Sequence, residues 1–144
     1  MTKMIFVNLP VADVAASTAF YEAIGMEKNA AFSNDQASAM IWSDTIHFML
    51  LGHSFYSTFT PKQIIDAKTT SGMLLALGLD SRAQVDAITV AAVAAGGTEL
   101  HDPEDMGFMY SRAFADLDGH GFGPFWMDPA AAANGPGQMA ETAV

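Results

Sequence analysis

Phe6-Val7-Asn8-Leu9-Pro10-Val11 and Leu74-Leu75-Ala76-Leu77-Gly78-Leu79 lie 68 positions apart and open two similar halves of the chain. In the first, Ile5, Val7, Leu9 and Val11 alternate with Phe6, Asn8 and Pro10, the period-two pattern of a strand. Pro10 has no N–H to give, so the strand ends near it or lies where no ladder donor is needed. Asp13 is placed to cap a helix over Val14 to Ile24, with Phe20, Tyr21 and Ile24 as its apolar stripe and Gly25 as its stop. Three strand-like segments follow, Glu27 to Ser33, Ala37 to Trp42 and Thr45 to Leu51, parted by the turn formers Asn34-Asp35 and Ser43-Asp44. The first half therefore predicts the order βαβββ.

From Gly72 the pattern starts again. Met73 to Leu79 is an apolar strand, Asp80 or Ser81 caps a helix running through Ala95, and Gly96-Gly97 stop it. Val85, Ile88, Ala92 and Val93 are its expected buried stripe. Strands near Thr98 to Leu100, Met109 to Ala115 and Gly121 to Met127 complete a second βαβββ unit, with Asp118-Gly119 turning the last hairpin. The expected organisation is one α+β domain over residues 1–128: module one at 4–52, a connector at 53–71 and module two at 72–128. The connector carries Phe55, Tyr56 and Phe59, with a helical turn expected over Lys62 to Ala67. Residues 129–144 show no periodicity and read as a loose tail.

Composition narrows the function. The chain has 144 residues, 51% of them hydrophobic, enough to bury roughly two-thirds of its unfolded surface. Sixteen acidic residues against six Lys and Arg give a net charge of −10, which argues against nucleic acid or an anionic membrane as partner. With no cysteine there is no disulfide, thiolate metal site or thiol nucleophile. The start of the chain has the character of a first strand rather than a signal peptide, and no uncharged stretch offers the ~20 apolar residues of a spanning helix. A soluble, cytoplasmic protein is expected.

Two tandem βαβββ units, the Asn8-Leu9-Pro10-Val11-x-Asp13 start, Phe20-Tyr21 ahead of Ile24-Gly25, and Asp116-Leu117-Asp118-Gly119-His120 before the last strand together resemble the vicinal oxygen chelate superfamily. That superfamily comprises the glyoxalases, bleomycin-resistance proteins and extradiol dioxygenases. The resemblance covers residues 4 to 128. It implies that the two modules curl their sheets around a shared cavity, and that catalytic members hold one divalent metal there on four His, Gln or Glu ligands. Carried across position by position, those ligands fall on Phe6, Met49, Leu74 and Gly123. Phe, Leu and Gly offer no side-chain donor and a Met thioether is too soft for the usual metals, so no cofactor is expected.

A shift of two residues keeps a side chain on the same strand face, which brings Asn8 and His47 into consideration. His47 is the one candidate catalytic residue, as a general base or as a ligand of a relocated metal. Its alternative is a single structural hydrogen bond. If the implied architecture holds, Phe6, Asn8, His47, Met49, Leu51, Leu74, Ala76, Gly121 and Gly123 line the cavity, while Val7, Leu9, Ile46, Phe48, Leu75 and Leu77 pack on the helices. Arg112, in an otherwise uncharged strand, either anchors an acidic ligand or pairs with Asp116 or Asp118. His120 belongs to its turn, while His53, His101 and the acidic run Asp102-Pro103-Glu104-Asp105 are expected in exposed loops.

Two functions remain open, beside a purely structural or regulatory dimer whose core is filled. One is a protein that binds a small, largely apolar molecule at Phe6, Asn8, His47, Met49, Leu74, Arg112 and Gly123, in the manner of the bleomycin-resistance branch. The acidic surface with which such proteins meet cationic drugs is compatible with the charge of −10. The other is a divergent lyase, isomerase or dioxygenase-type enzyme, with or without metal, built around His47 and Asn8. The resemblance implies a homodimer, and the rings of the connector suit either a subunit contact or a flap over the cavity mouth.

Overall fold

The structure, a computed structural model describing residues 2–135, contains the βαβββ order twice. Module one consists of β1 (Ile5–Val11), α1 (Val14–Ala23), β2 (Glu27–Lys28), β3 (Ala37–Ile41) and β4 (Ile46–Gly52), followed by the short helix α2 (His53–Tyr56). Module two consists of β5 (Leu74–Gly78), α3 (Arg82–Ala94), β6 (Thr98–Asp105), β7 (Met109–Ala115) and β8 (Gly121–Met127), followed by α4 (Pro129–Asn134). The sheets are ordered β1-β4-β3-β2 and β5-β8-β7-β6. In each, the first and last strands pair in parallel and the others antiparallel. The repeat in the sequence is thus a repeat of topology.

Local chemistry sets the helix ends. Asp13 accepts a bond from the Ala16 N–H at 3.0 Å and starts α1. Ser81 accepts one from the Gln84 N–H at 3.1 Å, while the Gln84 side chain reaches back to the Asp80 N–H at 2.9 Å. Gly25 and Gly96 follow the two helices at φ of 107° and 104°, where side chains are disfavoured. In α3 the buried residues are Val85, Ile88, Thr89 and Ala92, whereas Val93 is 46% exposed. Thr89 can lie inside because its hydroxyl donates to the Val85 carbonyl at 2.8 Å, while at 100° per residue Val93 falls at the edge of the stripe.

Four segments depart from expectation. β2 stops at Lys28 because Asn29 caps a 3-10 turn over Ala30–Phe32 and the Ser33 hydroxyl takes up the Asn29 carbonyl and the Ala39 N–H. β6 runs on through the acidic residues to Asp105, so His101 lies in a strand, as His53 lies in a helix, and neither is in a loop. Pro103 is tolerated there because β6 is an edge strand with a register shift between His101 and Glu104. No helix forms over Lys62 to Ala67; Asp66 instead organises a turn, its carboxylate accepting from the Lys68 N–H at 3.1 Å and its carbonyl from the Thr70 N–H at 2.9 Å. Beyond β8, Asp128 caps α4, so helix continues where a loose tail was expected; residues 136–144 of that tail lie outside the described residues.

The inner faces of both sheets and both long helices form one core. Leu9, Phe20, Tyr21 and Phe48 from module one join Leu77, Ile88, Phe114 and Phe122 from module two. Phe122 holds the centre, with ring centroids 5.9 Å from Tyr21, 6.0 Å from Phe48 and 5.3 Å from Phe114. Each such ring, fully buried, contributes about 1.5–3 kcal/mol. The β7–β8 hairpin then reaches across to module one. Asp118 accepts from the Ala12 N–H at 2.8 Å, His120 Nε2 meets the Pro10 carbonyl at 2.8 Å, and the Tyr21 hydroxyl donates to Asp116 at 2.5 Å.

Candidate functional site: a cleft between the sheets

Strand register places the outward-facing residues. In sheet one Phe6 pairs with His47 and Asn8 with Met49; in sheet two Leu74 pairs with Gly121 and Ala76 with Gly123. Directly paired residues share a face. Leu9 and Phe48 point the other way into the core with Leu77, and Val7, Ile46 and Leu75 pack against it, as the alternation predicts.

Between β1 and the β5–β8 end of sheet two lies a cleft of about 330 Å³. Asn8 and Pro10 form one wall, and Leu74, Leu100 and Gly121 the other. The connector closes over it with Tyr56, Ile65 and Lys68. Gly121 makes the floor possible, since a Cβ there would stand 2.8 Å from Leu74 Cδ2 and 3.9 Å from Leu100 Cδ1. The connector passes so closely over the hairpin that a Cβ at Gly119, which has φ of 94°, would lie 2.6 Å from the Lys68 nitrogen. A larger groove of about 860 Å³ runs along α1, but small and charged residues such as Ala15, Ala19, Asp13, Glu22, Lys28 and Asp35 dominate it. It lacks the converging apolar side chains typical of a small-molecule site.

Only part of the expected site comes together. Asn8 and Leu74 line the cleft; Phe6, His47, Met49 and Gly123 share its sheet faces but lie outside it. His47 stacks on Phe6 with ring centroids 4.6 Å apart, and its Nε2 lies 3.3 Å from the Asp44 carbonyl. The register pairs His47 with Phe6 and Asn8 with Met49, which makes His47 and Asn8 diagonal neighbours on one sheet face, and of the two Asn8 lines the cleft. Arg112 belongs to the helix side. It bonds Glu99 at 2.7 Å and Asp86 at 3.0 Å, in place of the expected Asp116 or Asp118. Those two carboxylates are already engaged by Tyr21 and by Ala12.

Lys68, Ile65 and Leu100 are among the cleft residues that sequence reasoning missed. The signal available for Ile65 was an apolar pair, Ile64-Ile65, within a polar connector. Nothing local marks Lys68 or Leu100.

The titration behaviour beside the cleft follows from burial. Desolvation raises the Asp116 carboxyl above its ordinary range, opposed by the hydrogen bond from Tyr21 and the nearby His120. Burial also pushes the Tyr21 phenol up, reinforced by the Asp116 charge. As to metal, Phe6, Met49, Leu74 and Gly123 occupy the four positions at which ligands are expected and present no suitable donor. Among the described residues no group of three or more His, Cys, Asp or Glu is placed to hold an ion. The residues do not fit a divalent metal. Nor, among the described residues, is any helix long and apolar enough to cross a membrane.

The comparisons bear on the fold. Residues 3–34 match the family described as bleomycin resistance protein-like N-terminal. No curated protein matches the sequence. The S. aureus protein SA1046 is 22% identical with a TM-score of 0.74, the match covering 88% of this chain and 94% of that one. A glyoxalase/bleomycin resistance protein/dioxygenase family enzyme from Burkholderia phytofirmans PsJN is 19% identical with a TM-score of 0.72, over 88% and 99% of the two chains. Protein ATC0852 from Agrobacterium tumefaciens is 28% identical with a TM-score of 0.68, over 88% and 98%. With its two βαβββ modules, the chain has the fold of the glyoxalase, bleomycin-resistance and vicinal oxygen chelate superfamily.

Proposed function

We propose that this protein is a cytoplasmic binder of a small, largely apolar molecule, held in the cleft without a resident metal. The observation that carries the proposal is the convergence of Leu74, Leu100 and Ile65, exposed by 75%, 49% and 40%, on one hollow beside Asn8. Large apolar side chains left in water around a concavity are the usual mark of a ligand site. A fragment library followed by amide chemical shifts tests it. Hits that move the amides of Asn8, Leu74 and Gly121 support the reading, and a library whose hits move only amides elsewhere overturns it.

The same proposal includes a homodimer. Phe59 of the connector is 67% exposed and packs edge-on against Phe55 at 5.1 Å, leaving an aromatic pair that a second copy would cover. Light scattering on the eluting protein should give twice the chain mass, and Phe59→Asp should return the mass of one chain; a single-chain mass for the unaltered protein refutes this part.

A further inference from the structure

We infer that the ligand of the cleft carries one anionic group, such as a carboxylate, at the connector end of an apolar body. This inference rests on the cleft being the ligand site, and adds the chemical class of what enters it.

Its basis is a local reversal of charge. The chain has 16 acidic residues and six Lys and Arg. Arg82 and Arg112 are already bound to carboxylates, Arg82 to Asp105 at 2.7 Å and Arg112 to Glu99 and Asp86. Lys68 lines the cleft and, like Lys3, Lys28 and Lys62, forms no ion pair among the described residues. No Asp or Glu lines the cleft itself, though Lys68 also borders an adjoining hollow of about 410 Å³ whose lining includes Asp66 and Asp118. The nearest acids of the connector and hairpin have other partners: Asp66 accepts from the Lys68 backbone N–H, and Asp118 accepts from the Ala12 N–H and the Ser17 hydroxyl.

Polar and apolar groups are also segregated. Leu74, Leu100 and Gly121 make an apolar floor, while the polar residues Lys68, Thr69, Thr70 and Ser71 line the connector side, the Thr69 and Thr70 hydroxyls donating to the Asp66 carbonyl. A cation entering here would meet Lys68, with no carboxylate in the lining of the cleft itself. An anion gains that charge, and its apolar part covers the floor. The volume of about 330 Å³ stands at the small end of ligand pockets (~300–1,000 Å³), which suits a single ring or a short chain.

The test compares three probes of one shape: 4-phenylbutyrate, 4-phenylbutan-1-ol and 4-phenylbutylammonium, titrated into the full chain with amide shifts recorded. 4-Phenylbutyrate should bind about fivefold or more tighter than the alcohol and the ammonium weakest, with the largest shifts at Gly72, Leu74 and Gly121. Lys68→Met should remove the preference for the acid while leaving alcohol binding intact, and added salt should weaken acid binding alone. Equal or tighter binding of alcohol or ammonium at those same amides overturns the anionic class but leaves the cleft as the ligand site. Shifts confined to other regions, with all three probes, overturn both.

Discussion

The Tyr21 hydroxyl of α1 donates to Asp116 Oδ2 across 95 positions of sequence, at 2.5 Å and fully within the core. Asp116 Oδ1 meanwhile accepts the N–H groups of Asp118 and His120, at 3.0 and 2.8 Å, and so shapes the hairpin tip that grips module one. One carboxyl therefore joins the two modules and shapes the turn beside the cleft.

Tyr21→Phe removes the donor and leaves one buried carboxyl oxygen unpartnered, at a cost of about 1–3 kcal/mol. The cost should depend on pH. Burial raises the Asp116 pKa and the Tyr21 hydrogen bond opposes that rise. A raised value means that the fold holds the proton more tightly than the unfolded chain does. The stabilisation from this group is therefore complete below about pH 3.9 and is lost as pH rises through the folded value. Removing Tyr21's hydroxyl raises Asp116 further, so the variant should lose more stability at pH 7 than at pH 4. Urea unfolding at the two pH values checks this; an equal loss at both would show that Asp116 does not titrate through this bond.

Two glycines two positions apart should behave differently. Gly119→Ala places a side chain at φ of 94° and 2.6 Å from the Lys68 backbone, and should cost about 1–3 kcal/mol. Gly121→Ala meets only the far end of the Leu74 side chain, which can rotate away, so unfolding should change by less than about 1 kcal/mol. Its effect should appear in the cleft, as weaker binding of 4-phenylbutyrate. Denaturation and titration of both variants separate the roles.

Arg112→Met should destabilise the fold by about 1 kcal/mol, because it removes the cation shared by the partly exposed carboxylates of Asp86 and Glu99. Asp86 is held below its ordinary pKa by the Tyr110 hydroxyl and by Arg112. Its support is present above about pH 3.9 and is lost as pH falls through the lower folded value, so the variant should show a weaker decline of stability on acidification. Affinity at the cleft should not change, since Arg112 lies on the helix side. A loss of binding at unchanged stability would return Arg112 to the ligand site.

Protein purified without chelator should contain far less than one divalent metal per chain by elemental analysis, and EDTA should leave its Tm unchanged. The reason is the donor set at Phe6, Met49, Leu74 and Gly123, none of which can compete with water for such an ion. Stoichiometric metal would require a site elsewhere in the chain.

Much of the fold was legible before any coordinates. The 68-residue repeat predicted two βαβββ modules, and β7 and β8 have the bounds expected for them on either side of the Asp118-Gly119 turn. Caps at Asp13 and Ser81 were readable because they depend on chemistry within one turn of helix. Less was legible where local and non-local demands compete. The run Asp102-Pro103-Glu104-Asp105 has the composition of a loop, yet pairing with β7 draws it into an edge strand, with Asp105 held by Arg82.

The candidate site divides the same way. Sequence alone determined which side of each strand Asn8, His47, Met49, Leu74 and Gly123 occupy, because a strand's faces alternate from residue to residue whatever it packs against. It also determined that the expected metal positions carry no suitable donors. Tertiary structure alone decided which of those residues meet in a cavity, that Lys68 and Leu100 join them, and that Arg112 turns to Asp86 and Glu99. The physical reason is that these contacts depend on the path of the connector over Gly119 and on the crossing of two modules that share one core, and both follow from packing between residues far apart in the chain.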